Sequence, residues 1–249
     1  MLTLYFSGTG NTKYAAEYLS KILGFKCHSI EEDIDFERII GEHLRICVCY
    51  PIYGSRMPRI FKEFVMKYKK LLEGKEIIIL ITQLIGSGDG ARAFVDVFPK
   101  NHFSVIYAEH INMPNNVCNF FLLPLKNGAD NHKMLKRANA KIDKACKNIK
   151  NGKIIKRGFN IFSSIAGLMQ GVFENQMNER GKKVRIDGDY CNACGLCADI
   201  CPMKNLSLSN GQIKHNDNCT ICYRCVNKCP MKAITTFFHS KPKKQYQGL

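Results

Sequence analysis

Eight of the thirteen cysteines crowd into residues 191–229, in two copies of one frame. The first reads Cys191-x2-Cys194-x2-Cys197-x3-Cys201-Pro202, and the second Cys219-x2-Cys222-x2-Cys225-x3-Cys229-Pro230. Three cysteines two residues apart can wrap one iron–sulfur cubane, each thiolate reaching a different iron, while the fourth lies behind a short turn ended by proline and points toward a second cluster. One [4Fe-4S] cluster is therefore expected on Cys191, Cys194, Cys197 and Cys229, and another on Cys219, Cys222, Cys225 and Cys201. Structural zinc pairs two C-x2-C knuckles across a loop. It would leave the third cysteine and the repeated Cys-Pro of each frame without a role. The opening MLTLYFSGTG carries no basic segment ahead of its short apolar run, unlike a secretory signal. A cytoplasmic setting with reduced thiols is thus expected, which disfavours a disulfide scaffold. The other five cysteines, Cys27, Cys47, Cys49, Cys118 and Cys146, are scattered.

A second constellation lies at the other end of the chain. Ser7-Gly8-Thr9-Gly10-Asn11-Thr12 follows the apolar run Leu2 to Phe6 and opens a helical pattern. Its glycines let backbone close around an anion, and its hydroxyls and helix N-terminus supply donors. No GK[ST] follows, so the turn is not a nucleoside triphosphate loop, and G-x-G-x-x-G is absent, which argues against a dinucleotide. With no basic residue inside it, the cradle suits a monophosphate held by neutral donors. None of the seven histidines forms HExxH, and no Ser/His/Asp or paired-carboxylate pattern is present.

These groups need elements to position them. Leu2–Phe6, 26–30, Leu44–Tyr50, Glu76–Thr82 and Ser104–His110 read as five strands, alternating with helical patterns over 12–24, from Pro58 to Leu72, and over 130–150. Strands alternating with helices imply a parallel sheet covered on both faces. The expected fold is α/β: a doubly wound five-stranded parallel sheet over residues 1–150, followed by a linker over 151–183. A small α+β two-cluster domain follows over 184–238, and a basic tail over 239–249. Within the linker, Gly158 to Phe173 carries no charge, and its apolar residues recur at near-helical spacing. A helix over 158–178 would pack between domains, make a homodimer or lie on a membrane surface.

The N-terminal turn resembles the FMN phosphate loop of flavodoxins, T/S-x-T-G-x-T, at Ser7, Thr9, Gly10 and Thr12. Residues 50–58 (YPIYGSRMP) and 82–91 (TQLIGSGDGA) fall where flavodoxins place their other two flavin loops, beyond the carboxyl ends of strands. The resemblance implies FMN held by Ser7, Gly8, Thr9, Gly10, Asn11 and Thr12, by Pro51, Ile52, Tyr53 and Gly54, and by Thr82, Gly86, Ser87, Gly88 and Asp89. Related proteins show a tyrosine where Ser87 stands, and the chain has no tryptophan. Tyr53 is left as the expected stacking ring, with Phe120 or Phe121 as fillers of the gap. The C-terminal region resembles two-cluster [4Fe-4S] ferredoxins in all eight ligands and both prolines. The resemblance implies a small sheet pairing Val184 and Ile186 with Ile234, Thr236 and Phe238. Taken whole, the chain resembles the fused flavodoxin–ferredoxin proteins of anaerobic bacteria and archaea.

The formal charge of +16 is spread out, +7 over 1–150, +3 over 151–190 and +6 over 191–249, with no nucleic-acid-binding arm. Cluster and FMN charges would leave roughly +10. That favours an acidic redox partner of ferredoxin or flavodoxin type, or another oxidoreductase, steered by electrostatics. The leading expectation is an electron carrier passing low-potential electrons between that partner, two clusters and FMN. The alternatives are an FMN-dependent reductase of a small acceptor, with Asp89, Tyr53 and Arg56 near its substrate, and a redox-sensing adaptor.

Overall fold

The computed structural model describes residues 1–53, 56–86, 88–120, 122–126, 128–160, 163 and 184–249. Gly54, Ser87, Phe121 and most of the 158–178 stretch lie outside these residues.

The N-terminal part runs β1 (Leu2–Tyr5), α1 (Asn11–Leu23), β2 (Lys26–Ser29), α2 (Phe36–Gly41), β3 (Arg45–Pro51), α3 (Arg59–Lys67) and α4 (Lys69–Leu72). It continues through β4 (Glu76–Gln83), α5 (Arg92–Val95), β5 (Ser104–Asn112), α6 (Gly128–Lys150) and β6 (Ile155–Lys156). The strands form one sheet in the order β2-β1-β3-β4-β5-β6, and every neighbouring pair is parallel. The sheet therefore has six strands where the sequence predicts five. The extra one, β6, pairs only Ile155 with Tyr107 and Lys156 with Ala108, too short to leave a periodicity.

The central strands are apolar throughout because both faces are covered. In β3, Ile46, Val48 and Tyr50 enter one core with Ile77, Ile79 and Ile81 of β4. Cys47 and Cys49 point the other way, into a core built with Ala15, Ala16 and Leu19 of α1 and Ile142 of α6. Truncating one of these fully buried isoleucines to alanine costs about 2–5 kcal/mol. Gly24 ends α1 in the left-handed conformation (φ 69°), its N–H bonding the Ser20 carbonyl, and Asp35 caps α2 through the Arg38 N–H.

The C-terminal part pairs β7 (Val184–Ile186) antiparallel with β10 (Ile234–Thr236), matching Ile234 to Ile186 and Thr236 to Val184. Phe238 adds a single bridge to Thr236. Between them stand α7 (Leu196–Asp199), the hairpin β8 (Leu206–Ser209) and β9 (Gln212–His215), and α8 (Arg224–Lys228). The hairpin turns on Asn210 (φ 51°) and Gly211 (φ 69°), the positive-φ pair that a two-residue connection demands.

Candidate functional site

The two cysteine frames fold alike. Ala193 and Ile221, Gly195 and Tyr223, and Lys204 and Lys232 occupy equivalent places in the frames, and all six have positive φ. Left-handed residues interleaved with right-handed ones turn successive N–H groups to one side, making concave sites for anions. Backbone N–H groups meet sulfur in both halves: Asn205 N–H to Cys201 Sγ at 3.3 Å, and Ala233 N–H to Cys229 Sγ at 3.4 Å. Ile221 N–H also reaches Cys219 Sγ at 3.3 Å. Such donors stabilise thiolate charge on a cluster.

Cys191, Cys194, Cys197 and Cys229 line one small cavity, with Ile186, Ile213 and Met231 on its walls. Cys201, Cys219, Cys222 and Cys225 line another, with Val184, Leu206 and Tyr223. The fourth cysteine of each frame thus lies with the first three of the other. Among the described residues, no three His, Cys, Asp or Glu side chains are grouped to hold a single metal ion; the thiols surround a void. An apolar void ringed by four thiols fits a cluster whose irons each take one ligand. Burial pushes the Cys197 thiol up to about 11 and Cys222 to about 12. Loading a cluster must therefore displace protons from these thiols.

The N-terminal turn sits between β1 and α1. Gly10 has φ 106°, and Ser7 Oγ accepts the Gly10 N–H at 3.1 Å. Thr12 and Thr82 share a buried hydroxyl hydrogen bond of 2.7 Å, and Asn116 Nδ2 donates to Thr9 Oγ1 at 2.7 Å. Arg224, from the other domain, takes the outward carbonyls: Nη2 donates to Ser7 O at 2.8 Å and Nε to Gly8 O at 3.0 Å. Its guanidinium also pairs with both carboxylate oxygens of Glu31, at 2.8 and 2.7 Å. In a trans peptide the N–H points opposite to the C=O. The Gly8 and Thr9 N–H groups therefore turn away from Arg224, and among the described residues they meet no protein acceptor. Together with the free N–H groups of the first turn of α1, they form the donor set a phosphate requires.

Beside this turn lies a cavity of about 280 Å³, just under the usual range for ligand sites. Ser7, Gly8, Thr9, Asn11 and Thr12 line it with Pro51, Ile52, Tyr53 and Thr82. The rest of its wall is Gln83 and Leu84, residues 113–117, Phe120 and Leu123, closed over by Ile221, Tyr223, Phe237 and Phe238 of the C-terminal domain. Phe120 stacks on Phe238, ring centroids 4.2 Å apart and 10° from parallel. Tyr53 Oη is buried with no hydrogen-bond partner. Burial, followed by the neighbouring Cys222, raises its pKa well above the usual range, so it remains a neutral phenol able to donate to a bound heteroatom. Phosphate donors at one end, aromatic walls along the sides and an orphaned phenol fit FMN.

The expected flavin residues do not all meet. Gly10 lies on the reverse side of the turn, in a groove with Lys13, Arg224 and Tyr246. Gly86, Gly88 and Asp89 are off the cavity wall. Asp89 is buried, and its carbonyl receives the Arg92 N–H at 2.7 Å to start α5. Burial raises the pKa of its carboxyl against the opposing charges of Arg56 and Arg92. The wall instead comes from the loop after β5, Met113-Pro114-Asn115-Asn116-Val117, which the sequence marks only as a Pro-Asn turn beyond a strand. The expected gap in aromatics is filled by Phe120 and by rings from the distant domain.

A parallel α/β domain with this strand-end cavity, joined to eight cysteines in two quartets, defines an electron-transfer flavo-iron-sulfur protein. A family model described as flavodoxin domain matches residues 2–153, and one described as 4Fe-4S dicluster domain matches residues 174–234. The chain belongs to the flavodoxin domain family, in the fused flavodoxin–ferredoxin arrangement. No curated protein gave a significant match. Solved structures similar to it include a flavodoxin from the domain Archaea, 14% identical over 60% of this chain and 97% of that one, with a TM-score of 0.41. Two-electron reduced Megasphaera elsdenii flavodoxin is 22% identical over 57% and 99%, with a TM-score of 0.40. Oxidised flavodoxin 2 from Bacillus cereus is 18% identical over 57% and 97%, with a TM-score of 0.38. No helix among the described residues is long and apolar enough to cross a membrane.

Proposed function

We propose that the chain binds two [4Fe-4S] clusters and one FMN and passes low-potential electrons between an acidic redox partner and its flavin end. When bound, FMN exchanges electrons singly or in pairs and each cluster exchanges one. The observation that carries this reading is the position of Tyr223, which lines both the flavin cavity and the cavity of the Cys201, Cys219, Cys222 and Cys225 quartet. The two sites thus share one wall residue. Cys222 and Cys225 are buried, whereas Cys194 of the other quartet is exposed. The chain therefore has an inner quartet against the flavin cavity and an outer one open to a partner. Asp89 lies off the cavity wall, so the carrier reading is preferred to a reductase with a substrate contact at that residue.

The test is the composition and electron capacity of protein purified without oxygen. About eight irons, eight sulfides and one FMN per chain are expected, with reductive titration taking up about four electrons. Four irons, or no flavin after reconstitution with FMN, would overturn the proposal.

A further inference from the structure

Residues 239–249 lie beyond both family matches, yet Tyr246 is packed behind the phosphate turn. Tyr246 is only 5% exposed. Its Oη donates to Asn11 Oδ1 at 2.5 Å, across 235 positions of sequence, and its N–H donates to Asn227 Oδ1 at 2.8 Å. Asn227 in turn donates through Nδ2 to Asn116 O at 2.9 Å, and the Asn116 side chain holds Thr9 Oγ1. Asn11 is pinned on its other side as well, its Nδ2 donating to Pro114 O at 2.8 Å. The tail is fastened where it enters, since Gln245 Nε2 donates to Val226 O at 2.9 Å and Cys229 O at 2.7 Å. Beyond Tyr246, the chain runs against the turn: a Cβ on Gly248 would lie 3.5 Å from Thr9 O.

We infer that Tyr246 is a positioning residue for the phosphate of the bound flavin, and that the tail forms the outer wall of the phosphate turn. Tyr246 does not line the flavin cavity; it acts through Asn11 and Thr9, which do. A turn that binds an anion through backbone N–H groups depends on those groups being held in place before the ligand arrives. Asn11 is the first residue of α1, so its side-chain bonds to Tyr246 and Pro114 fix the direction of the helix N-terminus. The phosphate, and not the ring, should feel the loss of this support.

The inference rests on the FMN reading above, and the test separates the two. Tyr246→Phe and a chain ending at Lys244 are titrated with FMN and with riboflavin, following the quenching of flavin fluorescence by the cluster-loaded protein. Phenylalanine keeps the ring in its pocket and removes only the hydroxyl donor. One lost hydrogen bond predicts FMN affinity roughly three- to tenfold weaker, with riboflavin affinity unchanged. The truncation should give a larger loss in the same direction. An unchanged FMN-to-riboflavin ratio in both variants overturns the inference, and so does an equal loss of both ligands, which would mean general loosening. A wild-type chain that binds neither flavin overturns the FMN reading itself.

Discussion

Gly8 of the phosphate turn lies directly against Cys222 of the inner cysteine quartet. A Cβ at residue 8 would collide with the Cys222 carbonyl and lie 2.6 Å from Tyr53 Oη. Backbone cannot yield as a flexible side chain does, so Gly8→Ala must push the two domains apart. We expect a stability loss of about 1–3 kcal/mol together with weakened FMN binding. Urea unfolding followed by circular dichroism, with a flavin titration alongside, checks this. Gly41→Ala, where nothing stands within 4 Å, should stay within about 0.5 kcal/mol of wild type.

Cysteines far apart in sequence should fail together. Cys191→Ala and Cys229→Ala act on one cavity, Cys201→Ala and Cys219→Ala on the other. Each substitution is expected to remove about half of about eight irons, and each pair to abolish the same electron paramagnetic resonance signal. If Cys229→Ala removes the signal that Cys219→Ala removes, the crossed assignment fails.

His110 sets a pH dependence. It is buried at the end of β5, and a Cβ on Gly158 would come within 2.8 Å of its Nε2. Burial, then the charges of Lys141 and Arg157, push its pKa down from 6.5 to about 4. Between these values the unfolded chain binds a proton that the folded chain refuses. Its contribution is thus complete above pH 6.5 and is lost as pH falls toward 4. Unfolding free energy should drop by about 1 kcal/mol between pH 6.5 and 5.5, and His110→Leu should flatten that slope.

The positive charge predicts the behaviour of the proposed partner complex. With an acidic electron donor, stopped-flow association should slow steeply as salt rises, because screening shortens the reach of the field. A rate independent of ionic strength would remove electrostatic steering from the picture.

The parts of the site legible in the sequence are those where chemistry dictates local spacing. The two cysteine frames are regular, as thiolate ligation of a cluster requires of closely spaced ligands, and the Gly8–Gly10 turn is built of small residues, as closing backbone on an anion requires. The parallel sheet was equally legible, since β3 and β4 are buried on both faces. What stayed hidden depends on distant residues meeting. Tyr223, Phe237 and Phe238 carry no local sign that they cover a cavity built by β1, β3 and β4. Nor do the residues after β5, whose Pro-Asn turn is ordinary in composition. Gly86 and Asp89 look like ligand contacts by position, yet Asp89 is drawn under the loop to begin α5. The two-residue strand β6 is recognisable only once β5 stands beside it.

The Arg224 bond to Gly8 joins positions 216 residues apart, and it has a thermodynamic consequence. The flavin cavity exists only while the two domains are docked, because each supplies part of its wall. A ligand bound there therefore stabilises the docked arrangement over the separated one, by an amount set by its concentration relative to its dissociation constant. By the reciprocity of linkage, anything that strengthens docking tightens the flavin equally. If cluster assembly steadies the segment around Cys222 and Tyr223, which lies against the cavity, it is expected to favour flavin uptake even though the two cofactors share no ligand. The fusion is thereby expected to couple the loading of one domain to that of the other, so that a chain lacking its clusters loses flavin as well.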